Sequence, residues 1–198
     1  MPWRHTLVLM SRRTVVFTVV IIGVADALAS ASLARGDEGG VQALADRVLA
    51  ATVSVACACD GGSFSGSGVV VSPEGHVLTA CSAVPEGATD VSVLLPGHDR
   101  RTGAVVAVDE SLGVTLLKVP TTKPLAPLPL ARRLPAVGCV AFTAADVDDV
   151  MLTSGRGSFS HGVVSGLYDV DRQPETGYAG RVIETTAAVD RKSTRLNS

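Results

Sequence analysis

Between residues 66 and 118 the chain alternates short apolar, β-branched runs with turn residues, and that spacing admits few architectures. Val69, Val70 and Val71 form one run, Pro73-Glu74-Gly75 interrupts it, and His76-Val77-Leu78-Thr79 resumes the apolar pattern. Proline presets φ at the first corner of a turn and glycine accepts the positive φ that often follows. A β-hairpin is therefore predicted. Pro85-Glu86-Gly87-Ala88 leads into a strand at 91–95, a polar loop through His98, Asp99, Arg100 and Arg101, and a strand at 103–108. The turn Asp109-Glu110-Ser111-Leu112 precedes a last strand at 114–118. Runs this short, with no sustained period of ~3.6 residues, predict an all-β barrel or sandwich.

A chain of 198 residues has room for one ordinary domain or two small barrels. Only 4% of its residues are aromatic, so the core must rest on Val, Leu and Ala, which suits β-branched strands. Without the residues before Gly36 and after Asp190, Lys and Arg number 10 and Asp and Glu 18, a balance of −8. A surface of that sign excludes nucleic acid as a partner.

Three blocks stand in chain order: the run from Gly66 to Ala80 (GSGVVVSPEGHVLTA), the segment 109–118, and Gly162-Val163-Val164-Ser165-Gly166 followed by 182–189 (VIETTAAV). Together they resemble the HtrA/DegP branch of the trypsin-like serine peptidases. The resemblance covers most of 41–190 and implies an all-β, two-barrel trypsin-like fold. Because the chain leaves the family pattern at Asp190, the second barrel is expected to be incomplete.

The same resemblance locates the residues a peptidase needs. The family reads Leu-Thr-x-x-His where this chain has Leu78-Thr79-Ala80-Cys81-Ser82, so Ser82 stands at the histidine position. Gly113 stands at the aspartate position, ahead of Val114-Thr115-Leu116-Leu117-Lys118. The family nucleophile follows Ala-Ala-Val-Asp inside Gly-Asn-Ser-Gly-Gly-Pro, whereas Asp190 is followed by Arg191-Lys192-Ser193-Thr194. No catalytic residue of the triad is expected to be intact. A serine hydroxyl needs an imidazole to take its proton and return it to the leaving amine, and the imidazole needs a carboxylate to hold its tautomer. Loss of either costs several orders of magnitude, and the second loss adds little because the triad acts as a unit.

Other residues of the chain are candidates for substitutes. His76, just after the Pro-Glu-Gly turn, and His98, in a polar loop, read as solvated surface histidines. His161 immediately precedes the 162–164 strand and is the candidate for a relocated base. Asp109 and Glu110 read as turn residues, with a displaced acid as the alternative. Cys81 reads as a buried small hydrophobe or half of a disulfide rather than a thiol nucleophile, since no histidine is close in sequence.

The expected function is an exported trypsin-like homologue that holds a peptide or protein ligand in the cleft between barrels without cleaving it. The alternative is an exported serine endopeptidase whose nucleophile segment lies beyond the end of this chain. Four cysteines, Cys57, Cys59, Cys81 and Cys139, leave three pairings open. Cys57 and Cys59 share one face of a strand, a poor geometry for bridging each other. Their spacing is not that of a zinc site, and neither metal nor cofactor is expected.

Residues 1–35 read as a signal peptide. Arg12-Arg13 precede an apolar stretch at 14–25 that Asp26 cuts off, short of the ~20 residues that span a bilayer. Ala27, Ala29, Ala31 and Ala34 supply small residues, so cleavage is expected near 29–34, with a signal anchor as the alternative. The run from Ser11 to Val15 partly resembles a twin-arginine signal, and Met10 offers a later start. The protein is then periplasmic or extracellular and meets a membrane only during export. Residues 36–120 are assigned to a lead-in helix, with Val41, Leu44, Val48 and Leu49 on one face over 41–50, and to the first barrel. A Pro-rich, extended linker spans 121–136, and the partial second barrel 137–190. The polar, basic residues 191–198 are expected to be translated adapter or vector sequence, a genuine tail being the alternative.

Overall fold

The computed structural model describes residues 4–6, 22–24, 38–59, 62–131, 133–146, 150–171 and 180–187. The tail at 191–198 and the Asp190 junction fall outside them. So does the leader, apart from β1 (Arg4–Thr6) and β2 (Ile22–Val24), which pair antiparallel. Among the described residues no helix is long and apolar enough to cross a membrane.

Helix α1 (Glu38–Ala51) starts earlier than the apolar period predicts, running through Gly39 and Gly40. Val41 packs on the core, and tertiary contact of this kind overrides weak local propensity. Leu44, Val48 and Leu49 are buried on the same face. The Thr52 hydroxyl donates to the Val48 carbonyl at 2.9 Å, closing the helix end as β3 begins.

Seven strands follow in one antiparallel sheet: β3 (Thr52–Cys59), β4 (Gly62–Val70), β5 (His76–Ala80), β6 (Thr89–Leu95), β7 (Asp99–Thr102), β8 (Ala104–Asp109) and β9 (Val114–Lys118). Their spatial order is β7-β6-β3-β4-β5-β9-β8. The two edge strands are consecutive in the chain and separated by Gly103 alone. One bent segment therefore pairs with β6 on one side and β9 on the other, and the sheet curls until its edges meet. Gly103 continues the ladder through its N–H to the Val91 carbonyl at 2.8 Å. Its missing side chain leaves room, since a Cβ there would lie 3.1 Å from Val91 Cγ1.

The predicted polar loop at 98–101 is largely strand β7, a correction with a backbone cause. Pairing to β6 satisfies its amides, while Arg101 and Asp99 form an ion pair at 2.6 Å on the outside. The predicted hairpin turn is present: Gly75 has φ +94°, its N–H reaches the Ser72 carbonyl at 3.2 Å, and a Cβ there would lie 2.4 Å from the Val119 carbonyl oxygen. Val53, Val55, Val77, Val93 and Leu117 fill the barrel with no exposed surface. Burying each such side chain contributes ~1.5–3 kcal/mol. The Pro-rich linker is anchored to this barrel: Leu125 and Leu128 donate their N–H groups to the carbonyls of Pro73 and Val70, and Leu128 is buried.

The second sheet has the order β10 (Val140–Ala145), β11 (Ser158–Val170), β12 (Gly180–Thr185). β11 switches partner along its length, pairing with β10 through residues 158–163 and with β12 from Val164 onward, with an irregularity between Val164 and Gly166. Alternate faces of β10 serve two cores. Ala141 joins Val164 and Ile183, while Phe142 faces the first-barrel core and stacks on Phe159 at 5.4 Å. A short helix α2 (Val150–Ser154), not expected from the sequence, is capped by Asp146, whose carboxylate accepts from the Met151 N–H at 2.9 Å. The Asp146 N–H in turn donates to Ser67 Oγ at 2.9 Å, tying this connection to β4. Among the described residues three strands do not close a barrel, so the second barrel is incomplete.

Candidate active-site end of the first barrel

β5 and β9 run antiparallel with Ala80 opposite Val114, so residues 81–82 and 112–113 emerge at the same end of the barrel. The Cys81 N–H donates to the Gly113 carbonyl at 3.0 Å and locks the two loops together. The two positions where the family resemblance seeks histidine and aspartate are therefore neighbours in space. The Ala83 and Val84 N–H groups both reach the Ala80 carbonyl, at 3.0 and 3.1 Å, which turns the chain sharply around Ser82. Buried Thr115 holds that turn from below through its hydroxyl on the Val84 carbonyl at 2.8 Å.

Ser82 Oγ is buried and makes no hydrogen bond. A buried hydroxyl without a partner costs free energy on the order of 1–3 kcal/mol. Gly113 has φ +66°, its N–H bonds the Glu110 carbonyl at 3.2 Å, and nothing lies within 4 Å of the point where a Cβ would stand. The backbone suits glycine, and the adjoining space is open.

The alternative residues are placed elsewhere or engaged elsewhere. His76 sits at the far end of β5 from Ala80, about 13 Å away at ~3.3 Å per residue. It is half-buried rather than a free surface histidine, because its Nδ1 lies 2.7 Å from Ser72 Oγ within the hairpin turn. His98 is exposed in the β6–β7 turn with φ +64°. His161 lies inside β11 rather than before it, exposed, with its ring 6.4 Å from that of Phe142. None of the three bonds Ser82. The Asp109 carboxylate is occupied by its own turn, accepting from Ser111 Oγ at 2.6 Å and the Leu112 N–H at 3.0 Å. The Ser111 hydroxyl, then the Leu112 amide, hold its pKa below the usual aspartate value. Glu110 contributes its carbonyl to the same turn.

The described cysteines are all free thiols. Cys81 is half-buried, donates to the Asp109 carbonyl at 3.6 Å and lies 3.6 Å from Thr115 Oγ1. Burial is the largest influence on it and pushes its pKa up, which opposes a nucleophilic thiolate. Cys57 and Cys59, on one face of β3, donate to the Ala83 and Glu86 carbonyls at 3.3 and 3.6 Å. Sequence reasoning missed this convergence, for which spacing carries no signal. Among the described residues no group of His, Cys, Asp and Glu forms a metal-binding cluster.

A serine hydroxyl such as that of Ser82 cannot act as a base at neutral pH, and Gly113 presents no carboxylate. Comparison with known proteins speaks to the fold and the family. The crystal structure of Deg5 superposes with a TM-score of 0.62 over 78% of this chain and 76% of that chain, and at 22% identity it speaks for the fold. No curated protein matches. The sequence model of the trypsin-like peptidase domain matches residues 66–192. The chain belongs to the trypsin-like peptidase family.

Proposed function

We propose that this protein is an exported, HtrA-like member of the family that binds an extended peptide or a partner protein in the cleft between its barrels and does not cleave it. The observation that carries this reading is the pair Ser82 and Gly113, held together by the Cys81 N–H on the Gly113 carbonyl. The loops retain the register that would present a base and its carboxylate side by side, and the side chains offer neither. A peptide nitrogen needs a proton delivered as it leaves, and the Ser82 hydroxyl, standing at the base position of the resemblance, cannot take up and return one at neutral pH. Such a site retains shape for binding and lacks turnover.

Casein and a peptide ester offered to the full chain test the reading. No turnover sensitive to a serine-directed inhibitor is expected, while fluorescently labelled extended peptides should bind and be recovered whole by mass spectrometry. Inhibitor-sensitive turnover would favour the endopeptidase reading instead. Export is tested separately by fusing residues 1–40 to a reporter, which should leave the cytoplasm and lose its N-terminal segment between residues 27 and 36. An uncleaved, membrane-retained fusion would identify a signal anchor.

A further inference from the structure

The corner at Gly103 completes the first barrel, and past it one edge of β8 is left bare. The ladder to β6 ends with Ser92 opposite Thr102 and the Gly103 N–H on the Val91 carbonyl, so from Ala104 onward β8 pairs with β9 alone among the described residues. A strand that lies on a core buries alternate residues, because successive side chains point to opposite faces. β8 does not: Ala104, Val105, Val106 and Ala107 are exposed in succession, Val105 at 39% and Val106 at 54%. The register shift between Val105 and Ala107 leaves Val106 without an opposite number on β9. Neither lysine nor proline, which commonly protect such an edge, occurs between 104 and 108.

The charges at the two ends of this run identify its occupant. Arg100 and Glu110 lie five residues to either side of Val105, and Arg101 and Asp109 four. A second copy laid antiparallel, Val105 on Val105, brings the acidic end of each chain beside the basic end of the other, whereas a parallel copy sets like charge on like. Arg101 is already held by Asp99 and the Pro120 carbonyl. Arg100, in contrast, bonds the neutral Ser92 hydroxyl at 3.0 Å, and neither it nor Glu110 has an ion-pair partner among the described residues. We propose that a second copy of this chain docks antiparallel on β8, with Val105 and Val106 at the centre of the contact and Arg100 of each copy facing Glu110 of the other. The bend at Gly103 turns β7 off the strand axis, so the charges meet at the rim, where they choose orientation more than they add affinity. One short strand from each copy makes a small interface, and the dimer is accordingly weak and concentration-dependent.

Sedimentation velocity on the full chain at low salt is the test. Between ~1 and ~200 µM the parent should pass from monomer to a species of about twice the mass. Val106→Lys puts a charge at the centre of the edge and should raise the dimer dissociation constant roughly ten-fold or more. Arg100→Glu and Glu110→Arg each set like charges together twice and should each weaken the dimer roughly three-fold or more. An equimolar mixture of those two variants restores both opposite-charge contacts, so it should dimerise as the parent does. Unchanged amide exchange in β5 shows that each variant is folded. A parent that stays monomeric throughout would overturn the proposal, and so would a dimer indifferent to Val106→Lys, which would have formed on another surface, or a mixture no tighter than its components.

Discussion

Each of the two larger sheets uses one bent strand that changes partner midway, but only one sheet is completed by it. In the first, Gly103 lets a single segment pair with β6 through residues 99–102 and with β9 through residues 104–109, so both ends of the seven-strand order belong to one bent stretch of chain. In the second, the irregularity at 164–166 lets β11 pair first with β10 and then with β12, and the described strands stop at three. The core follows closure. Val53, Val55, Val77, Val93 and Leu117 are sealed from solvent inside the first barrel, whereas the second sheet seals Ala141, Val164 and Ile183. A corner in a strand is a local event, while closure requires enough neighbours to use every edge.

The largest expected contrast is in amide hydrogen exchange. Amides of β5 and β9 should exchange only through global unfolding, and those of β12 through local opening, roughly a hundred-fold faster or more. Equal protection in both sheets would break the comparison. Next comes core truncation: Leu117→Ala should lower unfolding stability by ~2–5 kcal/mol in urea, with Ile183→Ala at or below the lower end of that range. An equal loss would mean that the small second core is as cooperative as the first.

Two glycines sharpen the contrast between packing and backbone. Gly68 faces the barrel interior, where a Cβ would lie 2.9 Å from Val77 Cγ1 and 3.0 Å from Val53 Cγ2. Gly68→Ala should therefore cost ~1–3 kcal/mol through overpacking. Gly113→Ala meets no atom and should cost only the ~1 kcal/mol of a left-handed φ, measured by the same urea transition.

The smallest effect concerns pH. The folded-state pKa of Asp109 is depressed, so its contribution is present above the unfolded value near 3.8 and lost as pH falls through the lower folded value. Exchange at the Leu112 amide should accelerate below that window. Asp109→Asn, which keeps an acceptor oxygen, should remove the pH dependence while preserving the turn.

Much of the first barrel was legible because its signals are local. The Pro73-Glu74-Gly75 turn and the alternation in 76–80 and 114–118 depend on neighbours a few residues apart. Segment 99–102 was not legible, since its polar side chains say loop and only pairing with β6 makes it strand. Helix α2 was missed for a similar reason: five residues carry no period, and its cap, Asp146, is oriented by Ser67 from another strand. The candidate site divides the same way. Ser82 and Gly113 were singled out only through the family resemblance, and nothing in the sequence announced that Ser82 Oγ would be buried without a partner.

The chain by itself determined the turns and the side-chain alternation that bring strands into being. Those are short-range properties of φ, ψ and side-chain period. Only the tertiary structure decided that one segment bent at Gly103 closes the first barrel, that Cys81 locks positions 82 and 113 together, and that three thiols face two loops. Each of these joins residues remote in sequence, and a hydrogen bond between them exists only once the sheet has set their distance.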